Sequence, residues 1–424
     1  MFNRVESILF ATLILSCGLL CGVLPAGAIE AVLDDTSCKL DGFAQPHRQT
    51  IVVVDQDAVD FSSDGQNDNN RKWMNAIIAF AGVQEGQGGQ LSSPRERLTV
   101  LLGSQDGVEL IRVFSGCPPT YSSDELKKLE GASKGLMGNL QTFIGRDPKS
   151  KVEADEKTFR IALLGSLVQI SKSAKPVPHG ANQASFFDSF QSISRTFDIS
   201  NGLPRIVLVT PMKAEMLNSF KTAKDARERG FSYASNVSAD LQRAEVYVVS
   251  VSRDAPKLAR DFTQAFLLGI KGNLLAFTNE SLPAVTDPPI SVQIFGGFID
   301  YGGVKAPMQL RVAVDKTGSL VNSWVEISVD RPTATPLSGK IVCKNDQMDS
   351  CEIKGDGKGF SQSWVVEQLP NPKFDSSLPF SGLRYFEFST RTDGVKGRFY
   401  DPLVVINGQK ELNFDLARTA QVRF

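Results

Sequence analysis

This sequence lacks the short motifs that mark many nucleotide and metal sites. It contains no P-loop, no G-x-G-x-x-G loop, no H-E-x-x-H pair and no C-x-x-C pair, which argues against the common nucleotide and zinc sites. Histidine is scarce, with only His47 and His179. We expect both at the surface, so a hydrolase that depends on a histidine base is the least favoured class.

The sequence also lacks an excess of charge of either sign. Lysine and arginine number 46 and aspartate and glutamate number 47, which gives a formal net charge of -1. There is no basic run to attract a phosphate backbone. We therefore expect no nucleic-acid partner.

The first 28 residues are expected to be a secretory signal peptide. Arg4 lies in a short polar start, Ile8 to Leu24 is almost entirely apolar or small, and Ala26 and Ala28 are the small residues that signal peptidase reads. We expect cleavage after Ala28 and a periplasmic or extracellular mature protein. Lipid anchoring at Cys17 is one alternative, and a retained anchor helix is another. No later segment is comparably apolar, so no integral membrane span is expected in the mature chain.

Four cysteines remain after the expected cleavage: Cys38, Cys117, Cys343 and Cys351. An even number in an exported chain predicts two disulfides, although four cysteines allow three connectivities. Local pairing, 38–117 and 343–351, is the simplest choice. Free buried thiols are the alternative.

Apolar strand-like runs alternate with helical stretches up to about residue 285, which predicts a mostly parallel α/β sheet. Thr50 to Asp55 is a short apolar strand that ends in a carboxylate. Arg97 to Ser104 and Val108 to Phe114 flank Asp106 and Gly107, a sequence typical of a hairpin turn. We therefore expect an antiparallel hairpin within the first half.

The second half is different in character and is expected to be a separate domain. Asp287 and two following prolines interrupt the α/β pattern. Beyond them, short alternating strands are separated by turn residues, which predicts a β-sandwich. The expected domains are a signal peptide at 1–28, an α/β domain at 29–286 and an all-β sandwich at 287–424.

The order of elements in the first half resembles that of a von Willebrand factor type A (vWA) domain. The resemblance covers roughly Gln49 to Val285, with a helical insertion at about 115–154. It implies a Rossmann-type, mostly parallel sheet flanked by helices. It also implies that Cys38 and Cys117 lie at the same end of the sheet, which agrees with a bridge between them.

The vWA family often binds Mg²⁺ through an Asp-x-Ser-x-Ser motif, a loop threonine and a second aspartate. This sequence keeps Asp55 but lacks both serines, and Thr210 after the fourth strand is followed by no aspartate. Thr158 would be the loop threonine. We therefore expect a degenerate site with no metal and no other cofactor. If a cation does bind, its ligands would be Asp55, Asp57 and Asp60.

The resemblance places the working surface at the carboxyl end of the strands. It would comprise the loop that follows Asp55, the segment near Thr158 and the loop that follows Thr210. The candidate interaction residues are Asp55, Asp57, Asp60, Asp64, Thr158 and Thr210.

These features favour a non-catalytic, exported protein-interaction module, an accessory or structural component of a bacterial envelope or secretion assembly. Its partner would be another envelope or secreted protein. The alternative is a protein that binds carbohydrate or envelope polymer through the sandwich. Four aromatic side chains discriminate between the two, because exposure on one face favours sugar and burial makes them core: Trp324, Trp364, Tyr385 and Phe386.

Overall fold

The chain forms an α/β unit followed by an all-β unit. The structure, a computed structural model, describes residues 31–32, 48–59, 68–81, 96–103, 110–118, 127, 148–173, 186–195, 203–212, 215–242, 244–251, 258–279, 289–301, 303–328, 332–344, 350–357, 373–374, 385–400, 404–405 and 411–423. The expected signal peptide and most of the expected insertion at 115–154 lie outside these ranges.

The first unit contains a seven-stranded mixed sheet with the strand order β1-β4-β3-β2-β5-β6-β7. Its strands are β1 (Ala31–Val32), β2 (Arg48–Val54), β3 (Arg97–Gly103), β4 (Leu110–Gly116), β5 (Leu203–Thr210), β6 (Glu245–Ser250) and β7 (Asn273–Asn279). β3 and β4 are antiparallel, whereas the other neighbouring strands are parallel. The antiparallel pairing expected from the sequence of β3 and β4 is confirmed.

Helices cover both faces of this sheet. They are α1 (Asp68–Phe80), α2 (Pro148–Ser173), α3 (Phe190–Arg195), α4 (Ala223–Asn236) and α5 (Ala259–Gly269). α1 and α2 pack on one face around Trp73 and Leu163, and α3, α4 and α5 pack on the other around Phe190 and Phe262. Because both faces are buried, the central strands are almost continuously apolar.

The second unit is a closed, antiparallel, eight-stranded barrel with the order β10-β11-β12-β14-β15-β17-β8-β9. Its strands are β8 (Ser291–Tyr301), β9 (Val304–Val314), β10 (Ser323–Ser328), β11 (Pro332–Cys343), β12 (Cys351–Gly357), β14 (Tyr385–Arg391), β15 (Gly394–Tyr400) and β17 (Glu411–Arg423). Two short strands, β13 (Lys373–Phe374) and β16 (Val404–Val405), pair separately. Apolar side chains such as Phe295, Ile353 and Phe388 fill the interior, as expected for a barrel of this size.

The predicted fold, a vWA-like domain followed by a β-sandwich, is wrong. The first half is a mixed sheet with five helices in the described ranges, and the second half is one sheet that closes on itself. The closure comes from the pairing of β8, the first strand of this unit, with β17, the last. Sandwiches and barrels both alternate apolar and polar residues, so the pattern alone did not separate them.

The two units are joined between β7, which ends at Asn279, and β8, which begins at Ser291. Asp287, at the expected boundary, lies outside the described residues. A buried hydrogen bond crosses between the units, because the Asn273 side-chain amide donates to Asn322 Oδ1 over 3.0 Å.

One expected disulfide is present at the hairpin between β11 and β12. Cys343 and Cys351 are directly opposite each other in the ladder and are bonded. Cys117, which directly follows β4, is buried and also disulfide-bonded, but its partner lies outside the described residues, as does Cys38. The 38–117 pairing therefore stays a prediction.

Candidate functional site

The strand order of the mixed sheet places a topological switch point at the carboxyl ends of β2 and β5. β2 pairs with β3 on one side and with β5 on the other, so the chain reverses its direction of travel across the sheet at this point. Open α/β sheets hold their ligands at such a switch point. Asp55 directly follows β2 and Thr210 is the last residue of β5, so both lie at this switch point.

Asp55 and Thr210 are joined by a short hydrogen bond. The Thr210 hydroxyl donates to Asp55 Oδ2 over 2.6 Å, and the Asp57 backbone N–H donates to Asp55 Oδ1 over 3.0 Å. The Thr210 oxygen in turn accepts from the Met212 backbone N–H over 3.1 Å. Met212 has a φ of 53°, in the left-handed region. The Asp55 carboxyl group thus connects the loop after β2 with the loop after β5.

The Asp55 carboxyl group is unusual because it is almost completely buried, with 8% of the residue exposed. Burial raises the pKa of Asp55 from its ordinary value of 3.8 to about 6, and the Thr210 hydrogen bond opposes this shift while the charge of Asp57 adds to it. A buried carboxyl group with a perturbed pKa in a cleft is a common mark of a functional site.

A third polar residue, Ser250, lies beside Thr210 and forms a row with Asp55 and Thr210. Ser250 is paired with Thr210 in the β5–β6 register and is buried. The wall beside the row is apolar, since Met212 and Phe186 pack in the core on this face of the sheet. At the end of β3, a side chain on Gly103 would lie 3.7 Å from the Val54 carbonyl oxygen and 3.8 Å from Phe186. The switch point therefore combines buried polar side chains with an apolar border.

The remaining residues of the expected interaction surface do not all lie beside Asp55. Asp57 is exposed beside Asp55, whereas Asp60 and Asp64 lie outside the described residues. Thr158 is exposed on α2, where its hydroxyl donates to the Ala154 carbonyl of the same helix. It is therefore a helix residue and not a loop threonine.

Neither a metal-binding cluster nor an exposed aromatic platform is found among the described residues. Within the described ranges, no three histidine, cysteine, aspartate or glutamate side chains are grouped to hold a metal ion. Trp324 and Phe386 are buried, while Trp364 and the Tyr385 side chain lie outside the described parts. By the criterion set from the sequence, Trp324 and Phe386 are core residues and form no exposed sugar platform.

The sequence contains one further possible nucleophile, Ser133. Ser133 lies in a G-x-S-x-G stretch, Gly131 to Gly135, outside the described residues, as do His47 and His179. Such a stretch serves as a nucleophile turn only between a strand and a helix. The sequence alone therefore gives Ser133 no catalytic role.

A second buried polar cluster lies at the opposite, amino end of the sheet. Arg205 and Glu96 form an ion pair in which both side chains are at most 1% exposed. Arg205 Nε also donates to the Thr50 hydroxyl oxygen over 3.0 Å, and Thr50 donates to Glu96. In the sequence, the sign of this cluster is Arg205, a charged residue directly before an apolar run. Because it is sealed inside the core, we interpret this cluster as structural.

In the described helices, no segment is both long and apolar enough to cross a membrane. No protein-family model matches this sequence, and a search of curated proteins finds no significant relative.

The raised pKa of Asp55 leads to a pH-dependent prediction. A folded-state pKa above the unfolded value means that the stabilising contribution of the protonated group is complete below about pH 4 and is lost as pH rises through about 6. Asp55→Asn keeps an oxygen for the Asp57 N–H, and its amide can donate to the Thr210 oxygen in place of accepting from the hydroxyl, but it cannot ionise. It should stabilise the protein by up to about 3 kcal/mol at pH 8 and by little at pH 4.

Thermal melts of the wild type and Asp55→Asn across this pH range would test the prediction. Glu228→Gln is the matched control, because Glu228 is exposed on α4 and does not contribute to the raised pKa of Asp55. An equal difference in melting temperature at pH 4 and pH 8 would show that ionisation of Asp55 does not explain the effect.

Proposed function

We propose that this protein is an exported, non-catalytic interaction module that binds a partner protein at the carboxyl end of its mixed sheet. The observation that carries the proposal is the buried hydrogen bond between Asp55 and Thr210, which joins two loops at the switch point. The proposed setting is an accessory or structural role in a bacterial envelope or secretion assembly.

The bonding of Asp55 supports a positioning role over a chemical one. Each of its carboxyl oxygens accepts a hydrogen bond from the protein, one from Asp57 and one from Thr210. Loops fixed in this way lose little conformational entropy on binding, which favours a preorganised recognition surface. Burying a carboxyl group costs free energy. A buried Asp55 that fixes two loops therefore supports a function at the carboxyl end of the sheet.

Export is supported by the sequence and by the cysteines. The apolar run at Ile8 to Leu24 is typical of a signal peptide. The bond between Cys343 and Cys351 is the kind of link that persists in oxidising compartments.

Charge reversal at the exposed Asp57 tests the proposed surface. Asp57→Lys should weaken association with the partner by roughly fivefold or more, since it replaces an attractive charge beside the switch point with a repulsive one. The melting temperature should change little, because the side chain is exposed. The contact should also weaken as salt is added, because exposed charges are screened within about 8 Å at physiological ionic strength.

The measurement is quantitative co-isolation of partners after chemical crosslinking in intact exporting cells. Glu228→Lys, an equal charge change at an exposed position on α4, is the matched control. If both variants lose the same partners, the cause is the change in net charge and not the loss of this surface. Unchanged recovery with Asp57→Lys would count against this surface.

A further inference from the structure

β5 passes into a loop directly after Thr210, and the Thr210 side chain holds the start of that loop. The backbone of Thr210 itself is still fixed by the neighbouring strand, because the Val251 N–H donates to its carbonyl over 3.1 Å. Two residues later, the Met212 N–H donates to the Thr210 hydroxyl oxygen over 3.1 Å. Met212 is therefore tied to the end of the strand by a side chain and not by the ladder.

The backbone of Met212 has a conformation that is costly for its residue type. Its φ of 53° brings Cβ of an L-residue close to the following carbonyl oxygen. Among the described residues, Gln242, Lys271 and Asn322 also have a positive φ without being glycine. Gln242 and Lys271 are exposed, and asparagine tolerates this region well. Met212 differs from all three because it is apolar and only 2% exposed.

The loop has a second fixed point at Leu217. This residue lies in the short 3-10 turn Glu215–Asn218 and, like Met212, is 2% exposed and belongs to the apolar core on this face of the sheet. The next two residues, Asn218 and Ser219, are exposed. Because Met212 and Leu217 are both buried, the backbone angle at Met212 determines how the chain runs between them and where the exposed residues lie.

Asp55 controls the acceptor that Met212 uses. The Thr210 hydroxyl gives its only proton to Asp55 Oδ2 over 2.6 Å, so its lone pairs remain for the Met212 N–H. Because Met212 is buried, losing this acceptor would leave its N–H unsatisfied. The three residues thus connect the buried carboxyl group to the backbone of the loop.

We propose that Met212 is a positioning residue for the partner-binding surface, because its left-handed backbone sets the path of the loop after β5. The Asp55–Thr210 pair holds this conformation, and the held loop presents Asn218 and Ser219 to the partner. Strained backbone that the surrounding structure maintains is a recurrent feature of binding sites. This inference rests on the proposed function and identifies the part of the surface that Asp55 controls.

Two substitutions at Met212 separate its backbone conformation from its packing. Met212→Gly and Met212→Ala both remove the buried side chain and differ by one methyl group, so they lose similar packing. Glycine accepts a φ of 53° without strain, whereas alanine does not. In the purified full mature protein, the amides of residues 215–219 should therefore exchange roughly tenfold faster with Met212→Ala than with Met212→Gly.

The expected order is opposite to the one that flexibility alone would give. Glycine enlarges the conformational freedom of the unfolded chain, so in a loop without a required left-handed residue Met212→Gly would be the less protected variant. Equal exchange in the two variants, or faster exchange with Met212→Gly, would overturn the positioning role of Met212.

Partner capture in exporting cells then links the loop to binding. With a photoreactive residue at position 57, Met212→Gly should give roughly tenfold more of the partner adduct than Met212→Ala. Equal adduct from both variants would overturn the inference and leave the proposed function intact. If the two variants differ in hydrogen exchange but neither they nor the wild type yields an adduct, the proposed function is the part that fails.

Discussion

Glu96→Ala should lower the free energy of unfolding by about 3–5 kcal/mol, the largest effect that we expect from a single substitution. Glu96 and Arg205 are paired inside the core, and both are at most 1% exposed. Removing the Glu96 carboxylate takes this counter-ion away from the buried Arg205 charge. Thr50, which donates to Glu96, also loses that acceptor.

Urea unfolding would measure this effect, and a double variant provides the control. Glu96→Met with Arg205→Met removes both charges and fills the space with apolar atoms, so it should recover most of the lost stability. If the single and double variants are equally destabilised, the loss is one of packing and the ion-pair interpretation is incorrect.

Gly230→Ala should destabilise the protein by about 2–3 kcal/mol. A methyl group at Gly230 on α4 would lie 2.5 Å from the Phe262 carbonyl oxygen and 2.9 Å from Ala265 Cβ, both on α5. The first of these is a backbone atom, so the two helices would have to move apart. Phe262 and Phe266 are buried against this crossing, and their packing would be disturbed.

Gly165→Ala is the matched control, because Gly165 lies within α2, is exposed and has no atom within 4 Å of an added methyl group. The same change there should stabilise the protein by up to about 1 kcal/mol through helix propensity. Thermal or urea unfolding of both variants gives the comparison. Opposite signs are expected, and a stabilising Gly230→Ala would mean that α4 and α5 do not pack this closely.

Local sequence was sufficient to predict the elements of the first unit that are close in the chain. The runs on either side of Asp106 and Gly107 pair as expected. The position of Asp55 after the first apolar strand also followed from its place in the sequence. Its hydrogen bond with Thr210 did not, because it joins residues 155 positions apart and depends on β2 and β5 being neighbours.

Contacts between distant segments account for the main failures. The barrel closes through β8 and β17, and no local pattern specifies that pairing. The failure at Thr158 is local instead, because the expected loop threonine lies inside α2, which runs from Pro148 to Ser173. The sequence places Arg205 in an apolar strand but does not indicate that it pairs with Glu96. That residue lies 109 positions away, just before β3.

Photocrosslinking can test whether the bond between Asp55 and Thr210 organises a partner-binding surface. A photoreactive residue at position 57 would be introduced into the full chain in exporting cells, and a residue at 340, exposed on β11, would serve as the reference. We predict one discrete protein adduct from position 57. It should persist with Asp55→Asn, which keeps the bond from Asp57 and can donate to the Thr210 oxygen, and fall roughly tenfold with Thr210→Val, which loses the hydroxyl. The same adduct from position 340, or an undiminished adduct with Thr210→Val in a folded protein, would contradict the account.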